Sequence, residues 1–594
     1  MADDGSGLTA RRRAYNFVRM PAVLAAARRW VFPPAPDTAA VERLSRELRL
    51  PPTLCRLLVH RGYGASDAAR GFLRPQPDHI HPPTLLAGMG DAVARLRQAI
   101  DAGETILVHG DYDVDGICST ALYVRALRMM GAKAEPFVPR RLVDGYDLSE
   151  AGVKGALDIG ATLILTCDCG IVAHDAIARA RAAGVDVIVT DHHTPGPRLP
   201  EASAVINPNR SDCEYPDKGL AGVGVAWKVC CALAAEIGFP QERLHSFLDL
   251  VAVATIADIA PLRGENRAMV RWGLRVLPQT PNPGLRALLR VTGLADKAEI
   301  TAAQVSFQLA PRINAVGRMG EALRGVRLLL TDDPREAEEI ALTLEQENRW
   351  RQSVEGETVK QALSSLEIGY DPDRDWGLVL ASDGWHPGVI GIVASRMVER
   401  LHRPTVMIAL DGVSEGKGSA RSIPAFNLYE AIRDCSDHLV RFGGHRMAAG
   451  CAIRADRVDG FREAFNARAR QVLREEDLVP EVRIDLEVEL RHADHDLVRM
   501  LRHAGPFGAG NHTPVFASRG VSVADHRIVG QGHLKMTLGA YGTTLEAIGF
   551  GMGERAQEPG FGTAPMDVAF KLEENHYNGR TTVQARLVDF RPSE

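Results

Sequence analysis

Three carboxylates and a histidine directly follow a short apolar run, and this arrangement limits what the chain can fold into. The run Thr105-Ile-Leu-Val108 leads into His109-Gly-Asp-Tyr-Asp-Val-Asp-Gly116. Four apolar or β-branched residues predict a buried strand, and the helical pattern over 117–130 predicts that a helix follows. Open α/β sheets bind ligands at the carboxyl ends of their strands. The crowded carboxylates therefore predict a cation site, with a calcium-type loop or a solvated acidic turn as the alternatives.

Two later strand-like runs also end in ligand-type residues. The runs 162–166 and 185–190 lead into Asp168 and into Asp191-His192-His193. Amphipathic helical stretches separate the runs, as in βαβ units of a parallel sheet, so the carboxyl ends of the strands meet at one edge. A single Asp or His at a strand end is commonly a cap or turn residue. Three successive strands with such endings favour one shared site.

A fourth acidic position lies inside an apolar segment. Residues 247–262 contain Asp249 and Asp258 and are too short and too polar to span a bilayer. We therefore predict a buried helix or strand that presents Asp258 inward. Because burial of an unpaired carboxylate is costly, a cation partner is the economical explanation.

Composition limits the class of protein. A chain of 594 residues is too long for one core, which predicts three or four domains, and 45% hydrophobic residues fit a folded protein. A net charge of -5 argues against coating nucleic acid by bulk charge but permits a local basic groove. Nine cysteines without a CxxC pair suit a reducing cytoplasm, and we expect Cys167 and Cys169 to pack rather than bind metal. Neither a signal peptide nor a membrane span is expected.

Taken in order, the motifs resemble a known superfamily. The strings in the first half are HGDYDVDG, TCDCG, DHHT and ATIADIAPL. Together they resemble the DHH phosphoesterase superfamily. Four downstream segments resemble its bacterial RecJ branch, the single-strand-specific 5'-to-3' exonucleases. These segments are 311–318, 385–391, 442–450 and 506–511.

The resemblance implies an α/β fold of several domains. A leader and helical lead-in (1–80) would precede a parallel-sheet DHH domain (81–330), a connecting helix (331–368), an α/β DHHA1 domain (369–478) and a C-terminal OB-fold β-barrel (479–594). The residues themselves favour two of these assignments. The polar middle of the connecting helix, 345–352, predicts a solvent-bridging connector, and Asn578-Gly579 between two alternating runs predicts a hairpin.

The resemblance also implies a centre with two metal ions. The implied metal ligands are His109, Asp113, Asp115, Asp168, His192 and Asp258. Asp168 would bridge the ions, and His109 and Asp111 would complete or support one side. Oxygen-rich sites select hard cations, so Mn²⁺ or Mg²⁺ is expected, with Mn²⁺ as the first choice. The implied catalytic residues are His193, Asp111 and Asp168, acting on an in-line displacement at phosphorus.

Substrate-binding residues follow from the same resemblance. They are Arg141, Tyr146, Arg312, Asn314, Arg318, Ser419, Arg421, Gly444 and His445. Arg141 and Tyr146 would recognise a 5' end. The glycine-rich segments 415–422 and 442–450 would let backbone N–H groups approach phosphates, especially if a helix begins at the second one. The chain departs from the family at Asp147 and Ala420, where glycine is usual.

The expected function is that of a single-stranded-DNA-specific 5'-to-3' exonuclease that releases 5'-mononucleotides in DNA recombination and repair. Single-stranded DNA is the expected partner, with a helicase and a single-strand-binding protein as candidates, and no membrane is involved. Two alternatives remain open. One is a phosphodiesterase of short oligonucleotides or cyclic dinucleotides, and the other is a catalytically dead replication scaffold.

Overall fold

The structure is a computed structural model that describes residues 28–140, 144–145, 147–319, 321–367, 369–411, 415–577 and 580–593. The chain divides into two compact units. Unit I consists of Ala65–Gly356 and Arg502–Thr513, and unit II consists of the remainder. No helix in the described ranges is both long and apolar enough to cross a membrane.

Unit II begins near the N-terminus with one short strand and two helices. They are β1 (Arg29–Val31), α1 (Thr38–Leu48) and α2 (Pro52–His60). Asp37 caps α1, because its carboxylate accepts a hydrogen bond from the backbone N–H of Ala39 at 2.9 Å.

A five-stranded parallel sheet forms the centre of unit I. Its strands are β2 (Thr105–Gly110), β3 (Lys133–Phe137), β4 (Leu163–Cys167), β5 (Asp186–Thr190) and β6 (Ala204–Ile206). The strand order is β3-β2-β4-β5-β6, with β2 parallel to both of its neighbours. The chain places β3 on one side of β2 and β4 to β6 on the other side, so the topological switch point lies between β2 and β4. Such a switch point opens a crevice at the carboxyl ends of the strands, where ligands bind. The predicted parallel sheet is confirmed.

Helices supply most of the core of unit I, and several of them pack against this sheet. They are α3 (Ser66–Leu73), α4 (Met89–Ala102), α5 (Val114–Met129), α6 (Glu150–Asp158), α7 (His174–Ala182), α8 (Gly222–Ile237), α9 (Leu248–Ala257), α10 (Gly264–Val276), α11 (Pro283–Val291), α12 (Ala302–Gln304), α13 (Ala310–Met319) and α14 (Ala322–Leu330). Helices α5, α8 and α9 are buried on nearly all sides, as expected of helices that are apolar all round. The apolar segment around Asp249 is thus the buried helix α9, and Asp258 is its C-cap residue.

Helix α15 (Pro334–Glu367) is the predicted connecting helix, and its polar middle, 345–352, is solvated on one side, where Gln346 and Arg349 are exposed. Its side chains at Asn348, Arg351, Glu355 and Thr358 are buried. Arg351 bridges two of them, with its guanidinium 2.8 Å from Glu355 Oε2 and 3.0 Å from Asn348 Oδ1. The polar stripe tolerates burial because its members hydrogen-bond to one another.

The second sheet lies in unit II and contains both glycine-rich segments. Its elements are β7 (Leu378–Asp383), α16 (Ile390–Leu401), β8 (Thr405–Leu410), β9 (Glu415–Arg421), α17 (Leu428–Asp434), β10 (Arg441–Gly444), β11 (Ala448–Arg454) and α18 (Val458–Val472). The order is β10-β11-β9-β8-β7, with only β7 and β8 parallel among the described strands. The segment 442–450 is therefore a hairpin of β10 and β11, and the helix that we considered there is absent. Glycines on paired strands let neighbouring strands approach closely.

The C-terminal part of unit II contains a small closed barrel of five strands, preceded by two short strands and a helix. Its elements are β12 (Glu481–Arg483), β13 (Leu486–Glu487), α19 (His495–Ala504), β14 (Phe516–Val529), β15 (His533–Ala540), β16 (Thr543–Gly549), β17 (Met566–Tyr577) and β18 (Arg580–Pro592). Strands β14, β15, β16, β18 and β17 pair in that order, and β17 closes the ring on β14. The predicted barrel is confirmed, although the turn Asn578-Gly579 lies outside the described residues.

Close packing of α10 on α9 predicts a position that is sensitive to a single methyl group. A Cβ atom on Gly273 would lie 1.9 Å from the carbonyl oxygen of Leu248. We expect Gly273→Ala to destabilise unit I by about 2 kcal/mol or more, since overpacking displaces backbone. Thermal unfolding and hydrogen exchange of α9 amides measure the effect. Gly90→Ala is the matched control, because nothing lies within 4 Å of its added Cβ atom, and an equal loss in both variants would contradict the explanation.

Candidate metal centre

Seven ligand-type side chains meet at the carboxyl edge of the parallel sheet. They are Asp111, Asp113, Asp115, Asp168, His192, His193 and Asp258. They form three overlapping groups, and in each group the candidate ligand atoms lie within 4.8 Å of one another. The sequence predicted all seven at this site. Their roles as ligands remain a proposal.

Backbone N–H groups at the starts of two helices hold the acids that follow β2. Asp113 is the N-cap of α5, and its Oδ1 accepts hydrogen bonds from the backbone N–H groups of Asp115 and Gly116 at 2.9 and 3.1 Å. The Asp115 carboxylate is buried and accepts N–H groups of Gly222 and Val223, both at 2.8 Å, from the start of α8. A Cβ atom on Gly222 would stand 2.8 Å from Asp168 Cβ, so only glycine leaves room there.

Asp168 follows β4 in a left-handed backbone conformation, with φ of 62°. A non-glycine residue in this region is strained and persists only where its surroundings enforce it. Two carboxylates hold the residues that follow. Asp147 Oδ1 accepts the N–H of Gly170 at 2.6 Å, and Asp191 Oδ2 accepts the N–H of Ile171 at 3.0 Å.

The two histidines after β5 are oriented by different partners. The ring of His192 hydrogen-bonds to the backbone carbonyl of Leu220, which leaves its Nε2 atom 3.0 Å from Asp168 Oδ1, 3.9 Å from Asp258 Oδ2 and 4.0 Å from Asp115 Oδ2. His193 is held instead by Asp191, whose Oδ1 lies 2.7 Å from His193 Nδ1. A histidine fixed through one ring nitrogen presents the other in a defined direction.

Burial and mutual repulsion dominate the electrostatics. Burial, followed by the charge of Asp113, raises the pKa of Asp115 to about 7. Burial and the charges of Asp115 and Asp113 raise the pKa of Asp258 to about 8, and burial together with the charge of Asp115 raises the pKa of Asp168 well above its usual range. At Asp115 and Asp258, burial and mutual repulsion therefore outweigh the positive charge of His193.

The histidines respond in opposite directions. Burial and the neighbouring His193 lower the pKa of His192 to about 4, so this ring is neutral at physiological pH. Burial also disfavours the charge on His193, but the hydrogen bond and charge of Asp191 outweigh it and raise the pKa to about 9. One ring can thus act as a ligand and the other carries a proton.

The arrangement fits a divalent cation. Within the described residues, His192 Nε2 and Asp168 Oδ1 are buried and have no hydrogen-bond partner. If the other ring nitrogen of His192 donates to Leu220, both facing atoms carry lone pairs, and a cation between them satisfies both. Carboxylates with an imidazole and no thiolate suit Mn²⁺ or Mg²⁺.

Not every predicted residue joins the cluster. His109 belongs to none of the three groups; its ring stacks on Phe137, and its Nδ1 lies 3.6 Å from Cys169 Sγ. Arg312 on α13 forms an ion pair with Glu345 at 2.6 Å, and Asn314 on the same helix is half-buried. Arg141, Tyr146 and the side chain of Arg318 lie outside the described residues.

The predicted phosphate-binding residues of unit II lie on neighbouring strands of one sheet. Ser419 and Arg421 are two residues apart on β9, and an Arg421 N–H donates to Ser419 Oγ at 3.3 Å. Gly444 and the exposed His445 lie where β10 turns towards β11. Ala420, which replaces the usual glycine, is buried in the core on this regular strand. The substitution is therefore compatible with the strand.

From the sequence, Asp191 was placed at this sheet edge without a role of its own, and no role was assigned to Asp147 or Gly222. Asp191 orients His193, Asp147 holds the loop after Asp168, and Gly222 supplies both a backbone donor and space. Asp147 also has a left-handed φ of 73°, as expected where the family has glycine. The Asp-His-His run and the Asp-for-Gly replacement were the available signals.

Comparison with known proteins agrees with this architecture. Three family models match successive parts of the chain: the DHH family N-terminal domain at 105–255, the DHHA1 domain at 376–471 and the RecJ OB domain at 484–589. The chain is thus a DHH-family protein that also carries DHHA1 and OB domains.

Full-length relatives narrow the family. The single-stranded-DNA-specific exonuclease RecJ of Bacillus subtilis is 37% identical over 578 residues, covering 96% of this chain and 72% of the relative. The single-stranded-DNA-specific exonuclease RecJ of Escherichia coli is 37% identical, and the match covers 90% of this chain and 95% of the relative. The structure of Thermus thermophilus RecJ in complex with Mn²⁺ superposes with a TM-score of 0.82 at 34% identity. The superposition covers 95% of this chain and 80% of the Thermus thermophilus chain. The chain belongs to the RecJ family.

The raised carboxyl pKa values predict that metal binding depends on pH. Asp115 and Asp258, with pKa values of about 7 and about 8, must lose protons before they bind a cation. We therefore expect the Mn²⁺ affinity of the metal-free protein to rise between about pH 6 and 9, with net proton release. Calorimetry in two buffers of different ionisation enthalpy measures both quantities. A constant affinity over this range would contradict the electrostatic analysis.

Proposed function

We propose that this chain is a single-stranded-DNA-specific 5'-to-3' exonuclease that releases 5'-mononucleotides with Mn²⁺ or Mg²⁺ as cofactors. The observation that carries the proposal is the pair of facing lone-pair atoms, His192 Nε2 and Asp168 Oδ1, in the centre of the acidic cluster. Membership of the RecJ family supports the choice of substrate.

We propose Asp113, Asp115, Asp168, His192 and Asp258 as the ligands of two ions, with Asp168 shared between them and Asp111 supporting one side. This division follows the overlapping groups, since Asp168 belongs to two of them and His192 also to two. When bound, the ions supply positive charge for an in-line displacement at phosphorus. His109 is proposed, with Asp111, to complete or support one side of the centre, and its buried Nε2 atom has no hydrogen-bond partner among the described residues.

His193 is the proposed proton donor. Its raised pKa of about 9 keeps the ring protonated at neutral pH, and the Asp191 contact holds Nδ1 so that Nε2 is available to substrate. A positioned imidazolium can stabilise charge on the phosphoryl oxygens or protonate the leaving oxygen.

The remaining roles concern the strand. Ser419, Arg421, Gly444 and His445 are proposed to bind phosphates, and Arg312, Asn314 and Arg318 to contact substrate near the centre. Arg141 and Tyr146 are proposed to recognise the 5' end. The closed barrel is proposed to hold single-stranded DNA by stacking and basic contacts, as OB folds do. The predicted domain division 81–330, 369–478 and 479–594 is retained in this proposal.

The cysteines and the expected substrate bear on the cellular setting. All nine cysteines are free in the structure, which suits the reducing cytoplasm. A helicase would generate single-stranded DNA for such an enzyme, and a single-strand-binding protein would cover it. Both are proposed partners, in the context of recombination and repair.

Digestion of DNA labelled at either end tests the polarity and strand specificity. With Mn²⁺ or Mg²⁺ added to the purified full chain, 5'-labelled single strands should release labelled mononucleotides at once, whereas 3' label should persist until late. Blunt duplex should be resistant, and chelator should abolish cleavage. Preferred cleavage of dinucleotides over long strands would instead support the phosphodiesterase alternative.

Asp168→Asn should separate chemistry from folding and strand binding. The substitution preserves volume but removes the charge shared by both ions. We expect roughly a thousandfold slower cleavage, equivalent to about 4 kcal/mol of transition-state stabilisation. Strand affinity, measured by fluorescence anisotropy, should change little because the proposed phosphate grip lies in unit II.

Asp175→Asn is the matched control, since Asp175 is an exposed acid in the first turn of α7. It should cleave at the rate of the parent. If Asp168→Asn retains a rate within about threefold of the parent at saturating Mn²⁺, the assigned role of Asp168 is wrong.

A further inference from the structure

The loop formed by residues 505–511 belongs to unit I, although it precedes the barrel strands in sequence. It follows α19 and leads into β14 of unit II. In unit I the loop contacts the turn 261–263, which begins three residues after Asp258.

Backbone and side-chain hydrogen bonds join the loop to this turn. The N–H of Leu262 donates to the carbonyl oxygen of Ala509 at 2.8 Å, and Arg263 Nε donates to that of Gly510 at 2.7 Å. Leu262 is buried, and a Cβ atom on Gly508 would stand 2.8 Å from Leu262 Cδ1. The loop and the turn therefore approach each other closely.

Other contacts fix the loop itself. The buried Asn511 donates from Nδ2 to the carbonyl oxygens of Ala504 and Pro506 at 2.9 and 2.8 Å. Arg267, buried on α10, donates to the carbonyl oxygen of Gly505 at 2.7 Å. Arg271 donates to that of His503 at 3.0 Å. A loop with this many satisfied groups has one defined conformation.

The turn 261–263 is linked to Asp258 along the chain and to His192 through a series of hydrogen bonds. Towards the N-terminus it follows Ile259, whose φ of 62° sharply redirects the chain after Asp258. Across the fold, Asn266 donates from Nδ2 to the carbonyl oxygens of Pro261 and Gly219, the residue before Leu220. Leu220 in turn accepts the hydrogen bond from the ring of His192.

We propose that the 505–511 loop is a positioning element of the metal centre, which holds the 261–263 turn so that Asp258 and His192 keep their ligand geometry. Gly508 and Arg263 are its positioning residues at the contact. The inference rests on the proposed metal-dependent function. It means that the metal centre needs a segment located about 250 residues further along the chain than Asp258.

Substitutions at this contact should act on metal affinity. Gly508→Val displaces Leu262 and should raise the dissociation constant for Mn²⁺ by roughly 10- to 100-fold, the usual effect of losing support for a metal ligand. Arg263→Ala removes one hydrogen bond from an exposed side chain, so the protein should fold. Its Mn²⁺ dissociation constant should rise by about fivefold.

Calorimetric Mn²⁺ titration of the full chain, well below the unfolding temperature, provides the readout. Gly532→Ala is the control for a purely structural effect, since this barrel glycine has a φ of 80° and nothing within 4 Å of an added Cβ atom. It should lower the unfolding temperature without changing Mn²⁺ affinity.

The outcomes are distinct. Weaker Mn²⁺ binding in Arg263→Ala, and in Gly508→Val where that variant folds, with parental binding in Gly532→Ala, supports the inference. Parental Mn²⁺ affinity in Arg263→Ala overturns it, as does an equal loss in Gly532→Ala. If the parent binds Mn²⁺ but does not cleave single-stranded DNA, the proposed function fails while the affinity comparison still decides this inference.

Discussion

Repulsion among carboxylates gathered at one sheet edge is the constraint on which the rest of unit I depends. Five carboxylates have oxygen atoms within 4.8 Å of another candidate ligand atom of the cluster; they are Asp111, Asp113, Asp115, Asp168 and Asp258. Backbone N–H groups from the starts of α5 and α8 offset part of this cost at Asp113 and Asp115. The remaining charge requires cations, so the fold and its metals stabilise each other.

Sequence reasoning recovered the architecture around this edge because local pattern determines it. Short apolar runs gave β2, β4 and β5 within about two residues of their ends, and each run is followed by a cluster member. Asp258 was found for a related reason, since an unpaired carboxylate in the apolar segment 247–262 is costly to bury and needs a partner. The two alternating runs on either side of Asn578-Gly579 form the barrel strands β17 and β18.

The errors concern properties that arise only from tertiary contact. The polar middle of α15 was predicted to lie in solvent, but only one side of it does. Asn348 and Arg351 are buried on the other side, where they hydrogen-bond to each other. A helix start at 442–450 would have favoured phosphate binding, but this segment is the hairpin of β10 and β11, and β11 also pairs with β9. The support that Asp147 and Gly222 provide was missed because their partners Gly170 and Asp115 are distant in sequence. Asp191 lies near His193 in the sequence, but the contact between them depends on loop geometry.

The pairing of β1 with β12 has a consequence for synthesis of the protein. The guanidinium of Arg29 on β1 forms an ion pair with the carboxylate of Glu481 on β12, which lies 452 positions later in the chain. At ribosomal rates of about 5 to 20 residues per second, the N-terminal strand waits for roughly 20 to 90 seconds before its partner emerges. During that interval Trp30, which is buried in the finished protein, has no core to enter. Trp30 can therefore reach its buried position only after most of the chain has been synthesised.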